Sequence, residues 1–269
     1  YDDASNIKQE NINNISSGFN KSEFVLHYQP KVNMSTGELV GVEALIRWQH
    51  PTRGLVPPLD FLPMVESQPI SLEIGEWVID TALSQISEWQ SSGVNLIISV
   101  NISAYQLQQA NFVERLAALL AVHPDVSPHT LELEILETSA FSDINHIIGT
   151  MRACIELGVQ FALDDFGTGY SSLIYLKRLP VNLIKIDQSF IRDMLTDTDD
   201  LAIVRGVVSL AKAFHLPVIA EGVETVEHGT ALLQLGCELA QGYGIARPMP
   251  ASNVPTWVEC WKPDKAWLS

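Results

Sequence analysis

The chain has 269 residues, 32 acidic against 16 basic, a formal net charge of −16, and 46% hydrophobic side chains. That hydrophobic fraction excludes a disordered chain. The acidic excess excludes a non-specific nucleic-acid binder, which needs a basic patch for phosphate contacts.

The length fits one barrel-sized domain, roughly 250 residues, better than two small ones. Cys154, Cys237 and Cys260 are odd in number and make no Cys-x-x-Cys, so neither a disulfide framework nor a cysteine zinc site is expected. A reducing, cytoplasmic compartment is expected, either for the domain itself or as the cytoplasmic part of a larger, membrane-anchored protein. No apolar run reaches the roughly 18 residues of a membrane span, and no signal peptide is visible. The first residue is Tyr1 rather than Met, which suggests a piece excised from a longer protein.

Residues 1–22 are polar and Asn/Ser-rich without a sustained apolar stripe, and read as a tail or connector remnant ahead of a domain over 23–269. From Phe24 onward, short runs rich in Val, Ile and Leu alternate with longer segments of helical period. The runs are 24–29, 40–48, 96–101, 131–136, 159–164, 182–187, 217–221 and 239–243. The segments 75–91, 111–123, 144–157 and 200–214 carry apolar residues three and four apart, as Val78, Ala82, Ile86 and Trp89 do. Eight strands interleaved with helices predict an α/β fold, a (β/α)8 TIM-like barrel, with a doubly wound sheet as runner-up. Only 30–39 joins the first two strands. That is too short for a crossover helix, so the pair is expected to be an antiparallel hairpin, making the first strand antiparallel.

In such folds chemistry gathers at the carboxyl ends of the strands. Here those ends carry Asn101, Glu134, the pair Asp164-Asp165, Lys185 with Asp187, and Glu221. The run 40–48 presents Glu43 and Arg47 on one face, because side chains alternate with period two. One buried carboxylate is easily a helix cap or an ion pair. Five converging ones repel each other and resist ionising unless something positive is bound. Glu43, Glu134, Asp164, Asp165 and Glu221 against Lys185 leave four negative charges, the number two divalent cations cancel. The donors are all oxygen, which suits Mg²⁺ or Mn²⁺ better than zinc. Two hard cations in one cleft suggest phosphoryl chemistry, with Lys185 holding the attacking water or neutralising charge.

Several sequences in order carry a resemblance: Tyr28-Gln29-Pro30, Glu43-Ala44-Leu45 within 43–48, Val100-Asn101-Ile102-Ser103, Glu134 with Glu137, 164–173, Lys185-Ile186-Asp187, Ala220 through Thr225, Gln241-Gly242-Tyr243 and Ala246-Arg247-Pro248. The set resembles the EAL domain family, cyclic-di-GMP-specific phosphodiesterases of bacterial second-messenger signalling. The likeness runs from about Phe24 to Pro250. It implies hydrolysis of one phosphodiester of cyclic-di-GMP to linear pGpG, supported by Mg²⁺ or Mn²⁺ and inhibited by Ca²⁺. The metal ligands it implies are Glu43, Asn101, Glu134 and Asp164, with Asp165 at a second ion and Glu221 completing the shell. Lys185 is implied to contact the catalytic water, Gln241 to complete the water shell, and Glu137 and Glu224 to steady the surrounding loops. Gln29, Arg47 and Asp187 are implied as substrate contacts. Family members commonly dimerise and are fused to sensory or other signalling domains, and some have lost catalysis and act as cyclic-di-GMP receptors. The chain departs from the common pattern at Leu136 and Asn182, neither of them a ligand. An unrelated metal-dependent lyase or aldolase barrel is disfavoured by Gln29, Arg47 and the 164–173 segment.

His123, His129, His146, His215 and His228 sit near element ends without ligand spacing and are expected to be solvated. Cys154 and Cys237 are expected to pack as small apolar residues in helices.

Overall fold

The computed structural model describes residues 2–140, 143–169 and 173–268. Ten strands form one sheet: β1 (Phe24–Asn33), β2 (Leu39–His50), β3 (Gly54–Val56), β4 (Ile98–Asn101), β5 (Leu131–Leu136), β6 (Gln160–Phe166), β7 (Leu183–Ile186), β8 (Val218–Ala220), β9 (Leu239–Ala240) and β10 (Met249–Pro250). Strands β2 and β4 through β9 run parallel to one another. Strand β1 closes the ring by pairing antiparallel with both β2 and β9. This is the eight-stranded barrel expected from the sequence, with its inverted first strand. Gly37, at φ +77°, makes the tight turn between β1 and β2. The short β3 and β10 lie outside the ring, on β2 and β1.

Alternation along each strand separates core from site. In β5, Leu131, Leu133 and Ile135 are fully buried on one face, each worth roughly 1.5–3 kcal/mol on burial. Glu132 and Glu134 share the opposite face, inside the barrel. The same rule puts Gln29 and Lys31 together on β1, Ser99 and Asn101 together on β4, and Lys185 inside on β7.

Residues 2–20, expected to belong to a polar tail, form a helix. Ile15 is buried in the core, with Ile12 and Phe19 packed against it. Three apolar residues on one face suffice because the receiving surface is already aromatic: Phe19 contacts Phe24 and Trp77. The stripe is thin, and the surrounding Asn and Ser residues mask it in the sequence.

At the other end, the 3-10 turn Lys265–Trp267 docks on the helix Val226–Leu235. The Trp267 indole donates to the Val226 carbonyl at 3.0 Å. A Cβ on Gly229 would come within 2.5 Å of that ring, so the glycine makes the seat. Trp267→Ala is expected to cost about 3–5 kcal/mol, seen as a lowered urea midpoint. An unchanged midpoint would mean the seat carries no weight. Among the described residues no helix is long and apolar enough to cross a membrane.

Candidate active site

The strand ends open into a cleft of about 650 Å³, lined among others by Gln29, Glu43, Arg47, Asn101, Glu134, Asp164, Asp165, Glu221 and Gln241. Its floor is a network around Lys185, a fully buried residue. The Lys185 ammonium lies 3.3 Å from Glu43, 3.3 Å from Asp164 and 2.9 Å from Glu221, and it hydrogen-bonds Glu134. Four strands thus aim one carboxylate each at one cation. Burial pushes the lysine towards its neutral form, but Asp164, Glu134, Glu221 and Glu43 together raise its pKa well above normal.

Glu43 is fixed from three sides. Its Oε1 accepts from Asn101 Nδ2 at 2.8 Å, and its Oε2 from Gln241 Nε2 at 2.7 Å and from Lys185. Burial alone would raise this carboxyl, yet Lys185, Gln241 and Asn101 bring it down to about 2. Glu134 goes the other way. Burial and the Glu43 charge push it up to about 8 against the pull of the lysines. Burial, then Asp164 and Asp187, raise Asp165 to about 7. Burial likewise holds Glu221 well above the carboxylate range.

Folded carboxyls raised above their unfolded values bind protons that the unfolded chain has released. Stability in EDTA is therefore expected to fall as pH rises from about 5 to 8. Bound divalent cations, which favour the ionised carboxylates, should flatten that fall. Melting curves at several pH values with EDTA and with Mg²⁺ check this, and a flat EDTA profile would contradict it.

Among the described residues, Asp164, Asp165 and Glu221 each place one carboxylate oxygen within 4.8 Å of the others, close enough to hold a metal ion. The donor set fits a hard cation. It is all oxygen, and its acids crowd closely enough to resist common ionisation. Asp165 adopts φ +53°, an uncommon conformation for a residue other than glycine. Its backbone N–H donates to Asp164 Oδ1 at 2.9 Å.

The loop that follows is held from beneath. Glu137 Oε2 accepts the Gly167 and Gly169 amides at 2.9 and 3.2 Å, so Leu136 beside it does not disturb this support. Tyr170, Ser171 and Ser172 of the 164–173 motif lie outside the described residues. Gln29 accepts from Gln241 Nε2 at 2.9 Å and donates to the Ala246 carbonyl at 3.0 Å. Arg47 is half-buried on the cleft wall, one guanidinium nitrogen on the Ile46 carbonyl.

Asp187 stands apart from the cleft lining. It caps the helix Gln188–Asp193 by accepting the Ser189 amide at 2.8 Å, and it faces Asp165. Glu224 lines the cleft, and its backbone amide donates to His228 Nδ1 at 3.3 Å. His228, expected to be solvated, is buried. Its Nε2 reaches the Arg192 carbonyl at 3.3 Å, so it ties the connection at Glu224 to the helix Gln188–Asp193. Cys154 and Cys237 are both buried, but only Cys154 sits in a helix, Ile144–Glu156; Cys237 lies in the connection after the helix Val226–Leu235, because the chain turns at Gly236.

Sequence reasoning missed Lys31, Ser99 and Glu132, buried one layer below. They lie two residues from Gln29, Asn101 and Glu134 on the same strand faces, and strict alternation would have found them. It also missed Gln106, a cleft residue whose Nε2 has no partner among the described residues. The signal was Gly75 inside a helix. A Cβ there would lie 2.3 Å from the Gln106 amide.

The EAL domain family model matches residues 12–248. The chain belongs to the EAL domain family. This EAL domain is 41% identical over 244 residues to the bifunctional diguanylate cyclase/cyclic di-GMP phosphodiesterase MucR of Pseudomonas aeruginosa, covering 90% of this chain and 36% of MucR. It is 38% identical over 245 residues to the cyclic di-GMP phosphodiesterase PdeR of Escherichia coli, covering 91% of this chain and 37% of PdeR. The EAL domain therefore spans little more than a third of these curated relatives. Among solved structures it matches the PaMucR phosphodiesterase in complex with c-di-GMP, at TM-score 0.88 and 41% identity over 91% of this chain and 99% of that one.

Proposed function

We propose that this EAL domain hydrolyses cyclic-di-GMP to linear pGpG in bacterial second-messenger signalling. The observation that carries the reading is the convergence of Glu43, Asn101, Glu134, Asp164, Asp165, Glu221 and Gln241 around Lys185 in one cleft. MucR and PdeR both bear the name of such a phosphodiesterase.

Six buried or half-buried carboxyls, with Glu132 counted, face two lysines and would leave four negative charges if all were ionised. An anionic dinucleotide cannot enter such a cleft without compensating cations. Glu43, Asn101, Glu134, Asp164, Asp165 and Glu221 would hold Mg²⁺ or Mn²⁺, two per site, which when bound supply Lewis-acid polarisation of the phosphodiester and a nucleophilic water at neutral pH. Ca²⁺ is larger and less strict in geometry, and is expected to inhibit.

The chain's own groups do the rest. Water oxygen attacks phosphorus in line and the bond to the ribose 3′-oxygen breaks, leaving a 5′-phosphate and a 3′-hydroxyl. Protonated Lys185 hydrogen-bonds the attacking water and offsets the charge that develops. Gln241 fixes Glu43 and that water, Arg47 holds a phosphate oxygen, and Gln29 orients the substrate. Glu137 holds the loop after Asp165 through its glycine amides, and Glu224 steadies the loop after Glu221. Asp187, expected to touch the substrate, lies off the cleft lining and acts through Asp165, which it faces. The domain works as a homodimer in the cytoplasm, joined to sensory or other signalling domains. The greater length of the curated relatives supports that last point.

The test is turnover of cyclic-di-GMP by the purified chain with Mg²⁺, Mn²⁺, Ca²⁺ and EDTA, following pGpG by chromatography. Product is expected with Mg²⁺ or Mn²⁺ and none with EDTA. Nucleotide binding without product would favour a receptor domain instead. Asp165→Asn is expected to lower kcat about 10–100-fold while nucleotide affinity changes little, since it acts at the second cation. Equal losses in turnover and binding would remove that role from Asp165.

A further inference from the structure

We propose that Lys31, with Ser99 and Glu132, is a positioning device that sets the Glu134 carboxylate from beneath the cleft. This rests on the reading of Glu134 as a cation ligand. The three residues are 3%, 0% and 5% exposed, and none of them lines the cleft. Lys31 Nζ donates to Glu132 Oε1 at 3.0 Å and to Glu134 Oε1 at 3.4 Å, and it hydrogen-bonds the Ser99 hydroxyl. Ser99 in turn donates to Glu132 Oε1 at 2.6 Å.

Barrel interiors are ordinarily filled by layers of branched apolar side chains. A buried ion pair is seldom more stable than apolar residues of the same volume, so stability does not account for this layer. Its geometric effect does. Glu134 is gripped at both oxygens by different lysines, Oε1 by Lys31 from below and Oε2 by Lys185. The carboxylate plane is thereby fixed, with Oε2 on the side of the Asp164 and Glu221 carboxylates that share Lys185. Glu132 and Lys31 cancel in charge. The device therefore orients a ligand without adding to or subtracting from the four negative charges above it.

The test compares Lys31→Met, the double variant Lys31→Met/Glu132→Leu, and Ser99→Ala. Lys31→Met alone leaves Glu132 buried and unpaired, and its melting temperature should drop. The double variant removes both charges and should recover most of that drop. A purely structural role would then restore everything. A positioning role predicts that the double variant still binds Mn²⁺ about tenfold or more weakly, read by paramagnetic resonance titration without nucleotide. Its kcat should fall with KM little changed. Wild-type Mn²⁺ affinity in the folded double variant overturns the proposal. Should the double variant not fold, Ser99→Ala keeps both charges, and unchanged Mn²⁺ affinity there overturns it equally. Wild-type protein that binds Mn²⁺ but leaves cyclic-di-GMP intact fails the functional reading alone.

Discussion

Lys185→Met should abolish turnover while leaving a protein that divalent cations can still stabilise. The variant keeps the apolar stem and removes the ammonium that touches Glu43, Glu134, Asp164 and Glu221. Breaking a buried ion network at one partner costs about 3–5 kcal/mol, because the remaining charges lose their compensation. The carboxyls can relieve part of this by taking up protons. The loss in EDTA should therefore be large near pH 8 and small near pH 5. Mg²⁺ should restore the melting temperature, since it supplies the missing positive charge. It should not restore hydrolysis, which is expected to fall by roughly 10²–10³ when a positioned hydrogen-bond donor and charge stabiliser is lost. Retained turnover in this variant would show that Lys185 is a structural counter-ion only.

Glu43→Ala has the second large effect. Its two oxygens gather Asn101, Gln241 and Lys185, which come from three other strands or strand ends. Removing the carboxylate deletes a proposed cation ligand and leaves the Asn101, Gln241 and Lys185 donors with nothing to orient them. Several kcal/mol of charge stabilisation in the transition state is at stake, roughly a thousandfold or more in rate. Full activity would sink the assignment of the site. Glu43→Gln separates charge from shape. It keeps hydrogen-bonding capacity, so its melting temperature should lie nearer wild type than that of the alanine variant, with turnover still lost.

Much of this arrangement is legible in the sequence because barrel strands announce themselves. Leu131, Leu133 and Ile135 alternate with Glu132 and Glu134 over five residues, and a strand with one polar interior face explains that pattern. The inverted first strand follows from chain length alone, since no crossover fits between β1 and β2. Other features depend on contacts between distant segments. The helix Asp2–Asn20 has too few apolar residues to declare itself, and it forms against aromatic surface supplied by β1 and by the helix Pro69–Ser91. His228 looks like any helix-end histidine until the Arg192 carbonyl and the Glu224 amide arrive on its two ring nitrogens. Asp187 follows Lys185 closely in sequence, yet the chain turns into a helix there, so its carboxylate caps that helix and faces Asp165 instead of lining the cleft. Lys31 reads as one polar residue in an apolar strand, and its partners lie 68, 101 and 103 positions away.

The reversed direction of β1 has a consequence for traffic along the chain. In a barrel whose strands all run the same way, the start of the first strand lies at the end remote from chemistry. Here Phe24 pairs with Trp48, near the carboxyl end of β2, so the polypeptide enters at the mouth. The helix Asp2–Asn20 packs on the short helix Leu62–Val65, and Leu62, Pro63 and Val65 belong to the cleft wall. A twist or pull arriving from upstream would reach the substrate's wall within two helices, without crossing the barrel.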